Sequence, residues 1–255
     1  MNIKTKILRL KTALLLCCLP LSLSAYTLTE EEKEEWLFDD SDILSQDVNE
    51  GQLEFLVKPP KKIVHHHHNS IVITPQSLKD GWVQLKQCHA NLDKVPALQI
   101  VFNKERIRNL RVVEQKNVAQ AWATTDTIQL RHISAEAKLC LSAEVKTLTN
   151  NQDGTYSMAS GPYMRRFLDG FYPMRVSADV KLDTRDLCLA ALTPDSQQGF
   201  EVWNEERTIH YNAWFEGKLY TNFTFFSLFN EDQHRGNSKN TPIHCDRDEV
   251  VASTG

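Results

Sequence analysis

The sequence predicts a mainly β protein: a β-sandwich-like domain over about residues 63–150, packed with a second, smaller antiparallel β region and one short connecting helix. Three observations predict it. From Ile63 onward, apolar and polar residues alternate with period two and β-branched residues are frequent. Turn-forming clusters break the pattern at short intervals. A second alternating stretch, rich in aromatic residues, follows a Gly/Asn/Asp-rich interruption near residue 150.

The chain opens with a signal-peptide pattern over residues 1–25. Lys4, Lys6, Arg9 and Lys11 precede the apolar stretch "TALLLCCLPLSLS", and "SLSA" supplies small residues for cleavage after Ala25 or Ser24. The apolar run is shorter than the ~20 residues that span a bilayer, which argues against a retained anchor. The chain is therefore expected to be exported, periplasmic or secreted, with no transmembrane segment in the mature part. Loss of those four basic residues moves the net charge from −4 to −8, which argues against nucleic acid or anionic lipid as the main partner.

Residues 26–62 read as an acidic leader and linker. Eleven Asp or Glu lie between Tyr26 and Pro60, against Lys33 and Lys58, and "KPPKK" stops regular structure. Within 63–150 the segments "IVIT", "WVQLKQC", "LQIVF", "LRVVEQ", "NVAQAWA", "TIQLRHI" and "KLCLSAEVKTL" are expected strands. Breaks such as "NKERIRN", "TTD" and "SAE" separate them. Residues 151–172 read as a connector, with Pro162 opening and Gly170 closing a short helix. "MRVSADVKL", "LCLAAL", "GFEVWNEE", "TIHYNAWF" and "KLYTNFTFF" then form the second β region, 173–230, with "FEGK" as a hairpin turn. Alone that region is small, so it packs on the first domain or completes one larger assembly. Residues 231–255 are a polar tail.

Cys88, Cys140, Cys188 and Cys245 survive removal of the signal, and an even count in an exported chain reads as two disulfides. Cys88 and Cys140 each sit opposite the main apolar register of their strands, so they are placed to meet across neighbouring strands. Elimination leaves Cys188–Cys245. No C-x-x-C supports a redox dithiol.

Three constellations could carry function. In "KKIVHHHHNSIVITP", strand alternation sends His65 and His67 to one face and His66 and His68 to the other. Two imidazoles at i and i+2 chelate weakly, so a divalent transition metal, the one cofactor the sequence admits, would need His89, His132 or a carboxylate besides His65–His68. Arg165 and Arg166 could hold an anion, or brace Asp169 from the same helix. Trp203, Trp214 and Tyr220 could form a platform for a sugar or peptide ligand, or an interface.

No G-x-S-x-G, S-x-x-K, H-E-x-x-H, Walker A or G-x-G-x-x-G motif occurs. The resulting expectation is a non-catalytic, exported β-rich protein that binds a protein partner or a second copy, or assists assembly in the cell envelope, through strand edges or the 211–229 hairpin. Periplasmic metal binding through the histidine run and an envelope hydrolase are the alternatives.

Overall fold

The computed structural model describes residues 49–228. The expected signal segment, most of the expected leader, the C-terminal tail and Cys245 lie outside the described residues. In chain order come β1 (Glu54–Phe55), β2 (His66–Ile73), α1 (Ser77–Asp80), β3 (Trp82–Leu92), β4 (Ala97–Val101) and a 3-10 turn (Lys104–Arg106). Then follow β5 (Ile107–Ala123), β6 (Thr127–Lys146), β7 (Leu148–Asn150), β8 (Thr155–Tyr163), β9 (Arg165–Phe167) and β10 (Gly170–Tyr172). The chain continues through β11 (Met174–Leu182), β12 (Leu187–Thr193), β13 (Phe200–Glu205), β14 (Thr208–Glu216) and β15 (Leu219–Ser227).

The mainly β reading holds. Nine strands form one large sheet in the order β1-β14-β11-β2-β3-β6-β4, with β13 also pairing β14 and β5 pairing the far edge of β6. A four-stranded sheet, β12-β15-β8-β7, packs against it, and β9 with β10 makes a small hairpin. The two predicted β regions share the large sheet: β11 lies between β14 and β2, and its pairing with β2 is parallel. The second region thus completes one larger assembly.

Strand alternation builds the interior. Met174, Val176, Ala178, Val180 and Leu182 of β11, and Ile209, Tyr211, Ala213 and Phe215 of β14, face Met158, Leu189, Phe223 and Phe225 of the small sheet within one core cluster. Aromatic contacts bridge that core, with Phe200 and Tyr211 ring centroids 5.4 Å apart and Tyr211 and Phe223 6.1 Å apart. A second cluster gathers Leu92, Val118, Ile128, Leu130, Ile133, Ala137, Leu139 and Leu141 from β3, β5 and β6.

Three expectations are corrected. Residues 162–170 form no helix: Tyr163 ends β8 in the core, and Arg165–Phe167 pairs with Gly170–Tyr172 as a hairpin. Burial of Tyr163, Phe171 and Tyr172 outweighs the Pro/Gly boundary pattern, which fits a turn as well as a helix end. "FEGK" is no hairpin turn, because β14 belongs to the large sheet and β15 to the small one. It is a corner between sheets, with Gly217 at φ 84° and the Gln52 carbonyl pressed where a Cβ would stand. Finally, "SAE" does not separate two strands. Glu136 at φ 55° and Asn117 at φ 57° lie where the β5–β6 ladder shifts register, so one long hairpin runs through the expected breaks as bulges. The short helix α1, after Pro75, has no counterpart in the sequence reading.

Candidate functional site

Three adjacent central strands set the site. Period two turns His66, His68 and Ser70 of β2, Arg175, Ser177 and Asp179 of β11, and His210, Asn212 and Trp214 of β14 away from the core. The ladders then align them in rows: His66 beside Arg175 beside Trp214, His68 beside Ser177 beside Asn212, and Ser70 beside Asp179 beside His210. Trp203 of β13 extends the last row next to His210.

These side chains form one connected network. The Ser177 hydroxyl lies 2.8 Å from His66 Nε2 and 2.8 Å from His68 Nδ1. His68 Nε2 stands 3.3 Å from Asp179 Oδ2, and also 3.2 Å from Ser70 Oγ. The other Asp179 oxygen accepts from His210 Nδ1 at 2.7 Å. Trp203 stacks on His210, with centroids 5.1 Å apart and planes at 10°. Arg175 donates from Nε to Asn212 Oδ1 at 2.7 Å, and its guanidinium carbon sits 5.2 Å from the Trp214 ring centre. Burial, reinforced by the nearby Arg175 and His68, pushes His66 down to about 4, so it is neutral at pH 7.

The other face of β2 points inward and holds a buried polar seam between the two hydrophobic clusters. His67 and His89 are cross-strand partners with ring centroids 4.5 Å apart. Gln87 donates its amide to His89 Nε2 at 2.7 Å, which leaves the His89 proton on Nδ1, directed at His65 Nε2 3.0 Å away. His67 Nε2 donates to Asn69 Oδ1 at 2.9 Å, and Asn69 donates to the Tyr163 hydroxyl at 2.8 Å. Loss of solvation is the leading cause that lowers His65 to about 4 and His67 to about 3, and it holds His89 well below the ordinary histidine value. Burial raises the Tyr163 phenol.

The histidine run thus divides as alternation requires, and its side chains are engaged with neighbours on both faces. Among the described residues, no group of three or more His, Cys, Asp or Glu side chains is arranged to hold a metal ion. Arg165 grips Asp93 through a forked contact, with Nε 3.2 and 3.1 Å from the two carboxylate oxygens, and lies over Phe167. Arg166 lies over Phe171. The Arg165–Asp169 brace is absent because neither residue is helical; Asp169 accepts from the Tyr172 hydroxyl instead. Trp203, 46% exposed, and Trp214 share the outer face of the large sheet. Tyr220, 59% exposed, lies on the small sheet, so the three aromatics do not converge.

Cys88 and Cys140 are cross-strand partners joined by a disulfide, with Cα atoms 4.1 Å apart. Cys188 is disulfide-bonded as well, and its expected partner Cys245 lies outside the described residues. Beside the histidine network, an open groove of about 630 Å³ begins at Ser70 and runs past Lys86 and Ser142 to Arg111 and Glu144. Sequence reasoning missed Ser177 and His210 and gave Asp179 no role, although "RVSADV" and "TIHYNAW" carry the alternation that sends all three outward.

No protein-family model matches the chain, and no curated protein matches it. Among solved structures it is similar to the M1 zinc metallopeptidase from Deinococcus radiodurans. One such structure, of a mutant bound to a Tyr-Ser-Ala substrate, is 9% identical with a TM-score of 0.37; another is 11% identical with a TM-score of 0.35. The matches cover 69% of this chain and 43% of that one, so the chain spans less than half the length of the structures it matches. A likeness of that degree assigns neither family nor activity.

Proposed function

We propose that this chain is an exported β-rich protein of the cell envelope that binds a protein partner through the outer face of its large sheet. The observation that carries the reading is the composition of that face. A solvated sheet face is ordinarily Lys, Glu and Thr; here Trp203 and Trp214 flank a patch in which Arg175, His66, His68 and His210 are locked in place by neighbours. Trp and Arg held in fixed conformations lose little entropy on binding, and they dominate the centres of interfaces. The strand edges suit the role less well. The long outer edge, β5, shifts register between Arg108 and Arg111, between Val112 and Glu114, and between Lys116 and Val118, and such bulges blunt strand addition.

Export is supported by the signal pattern of residues 1–25 and by the Cys88–Cys140 disulfide, which persists in oxidising compartments. No helix among the described residues is long and apolar enough to cross a membrane. The test is cross-linking in native envelope fractions, with and without chelator. A partner is expected to be captured by the wild-type protein and by Tyr220→Ala, and lost from Trp203→Ala/Trp214→Ala. Equal capture by the double variant removes the reading, and sedimentation of the purified protein tells a foreign partner from a second copy.

A further inference from the structure

The outer-face network is more than a set of mutually satisfied side chains, because the Asp179 carboxylate, an acceptor only, biases where its protons lie. His210 Nδ1–H donates to Asp179, so Asp179 is an acceptor at that oxygen. Its second oxygen stands 3.3 Å from His68 Nε2, which is hydrogen-bonded to the Ser70 hydroxyl at 3.2 Å, and the carboxylate's charge favours the His68 proton on that nitrogen. His68 Nδ1 is then a bare lone pair, 2.8 Å from the Ser177 oxygen, and takes the serine proton in its hydrogen bond. His66 completes the chain: neutral, it donates from Nε2–H to that same oxygen at 2.8 Å. A hydroxyl donating to an imidazole whose far nitrogen lies beside a carboxylate and is hydrogen-bonded to a second serine places a nucleophile, a base and a charge that supports the base in contact.

We propose that Ser177 is a hydrolytic nucleophile, with His68 as its general base, acting on carboxylic esters. This inference does not rest on partner binding and departs from the non-catalytic expectation. The Ser177 oxygen forms a bond to the acyl carbon while its proton passes to His68 Nδ1. The bond from that carbon to the alcohol oxygen breaks, and His68 returns the proton to the departing alcohol. Water then attacks the acyl-serine, losing a proton to His68; the carboxylic acid leaves, and Ser177 recovers its hydrogen. Asp179, itself held by His210, is the positioning residue whose charge lies 3.3 Å from His68 Nε2 and balances its transient positive charge, while the Ser70 hydroxyl bonds that nitrogen.

The substrate class follows from the surroundings. β2 and β11 lie inside the sheet, so their backbone N–H groups are committed to ladders and form no oxyanion hole. The developing oxyanion is left to side chains, namely the His66 Nε2–H and the cation of Arg175, two residues before Ser177 on the same face. That favours an ester, whose alcohol leaves readily, over an amide. The groove that starts at Ser70, a neighbour of His68, is lined by Lys86, Asn109, Arg111 and Ser142, which suit a hydrophilic alcohol portion. Ser177 is nearly buried, at 9% exposed, and the His68 and Asp179 side chains beside it retain 29% and 42%, so the approach from solvent to Ser177 runs past these two side chains.

The test is covalent labelling of the purified protein with a fluorophosphonate, mapped by mass spectrometry, beside turnover of p-nitrophenyl acetate. One adduct per chain on Ser177 is expected, absent from Ser177→Ala and reduced at least tenfold in rate in His68→Gln. Acetate ester turnover should fall at least 100-fold in Ser177→Ala and persist in chelator. Asp179→Asn should lower kcat with little change in KM, which a merely structural residue would not do. Ester turnover in Ser177→Ala within twofold of wild type, absence of an adduct at excess reagent, or loss of activity to chelator overturns the proposal. Ser177→Cys, which keeps a nucleophile of similar size, guards against misfolding: its thiol should be alkylated by iodoacetamide faster than a free thiol in solution, and a slower rate also overturns it.

Discussion

The three inward imidazoles His65, His67 and His89 place a proton-sensitive layer inside the protein. Unfolded, each titrates near the ordinary histidine value of about 6.5. Folded, His65 titrates near 4 and His67 near 3, because the interior excludes the charged form; Asp93 raises His65 and Arg165 lowers it by lesser amounts. Below about 6.5 the unfolded chain binds protons that the native protein refuses, so stability falls as pH falls. For His65 the loss stops growing below about 4 and reaches about 3 kcal/mol. The urea midpoint is accordingly expected to be flat from pH 8 to 7 and to drop steeply between pH 6 and 4.5, with a shallower drop in His65→Gln. Midpoints equal at pH 7 and pH 4.5 would contradict this. Alternation made the two-faced histidine run legible in the sequence. The Ser177–His68 contact was not, because it joins residues 109 apart through a strand pairing that no local pattern encodes.

At the scale of elements, the Cys88–Cys140 link was legible because both cysteines sit in the polar register of their strands and those strands are neighbours. The bond closes a separation of 52 residues across the β3–β6 ladder. Replacing both cysteines with alanine is expected to cost about 2–4 kcal/mol, mostly by freeing the unfolded chain. Chemical denaturation of the double variant checks this, and an unchanged midpoint would refute it. The connector was misread for a physical reason. A proline and a glycine bracketing "YMRRFLD" mark two ends but not what lies between, and the aromatic residues on either side of that turn gain more by burial than a two-turn helix gains by hydrogen bonding. The "FEGK" corner was illegible in the same way. A tight turn between alternating runs looks alike whether the second strand returns to its own sheet or crosses to the facing one.

For the whole molecule, the sheet order makes the two halves of the chain inseparable. β11 and β14 come from the second half yet carry β2, β3 and β6 on one flank, while β7 from the first half edges the small sheet. Fragments 49–152 and 153–228, expressed apart, should each lack a cooperative thermal transition. Mixed, they should recover one and elute as a 1:1 complex in size exclusion. A cooperative transition in 49–152 alone would show instead that the first half closes its own core. The sandwich as a class was readable from period two, whereas the partition of strands between sheets depended on contacts far apart in sequence.

The parallel pairing of β2 with β11 also imposes an order in time. A chain that emerges amino end first can pair β2, β3, β5 and β6 early, since each is antiparallel to a neighbour near it in sequence. β2 must then wait for Leu182 before its other edge is covered. Closing so long a loop is slow relative to hairpin formation. Until it closes, the run His66–Ile73 offers its backbone donors and acceptors to any strand at hand. The half-built sheet is therefore the form most open to exchange with a second nascent copy, and the length of that waiting period sets how often exchange occurs.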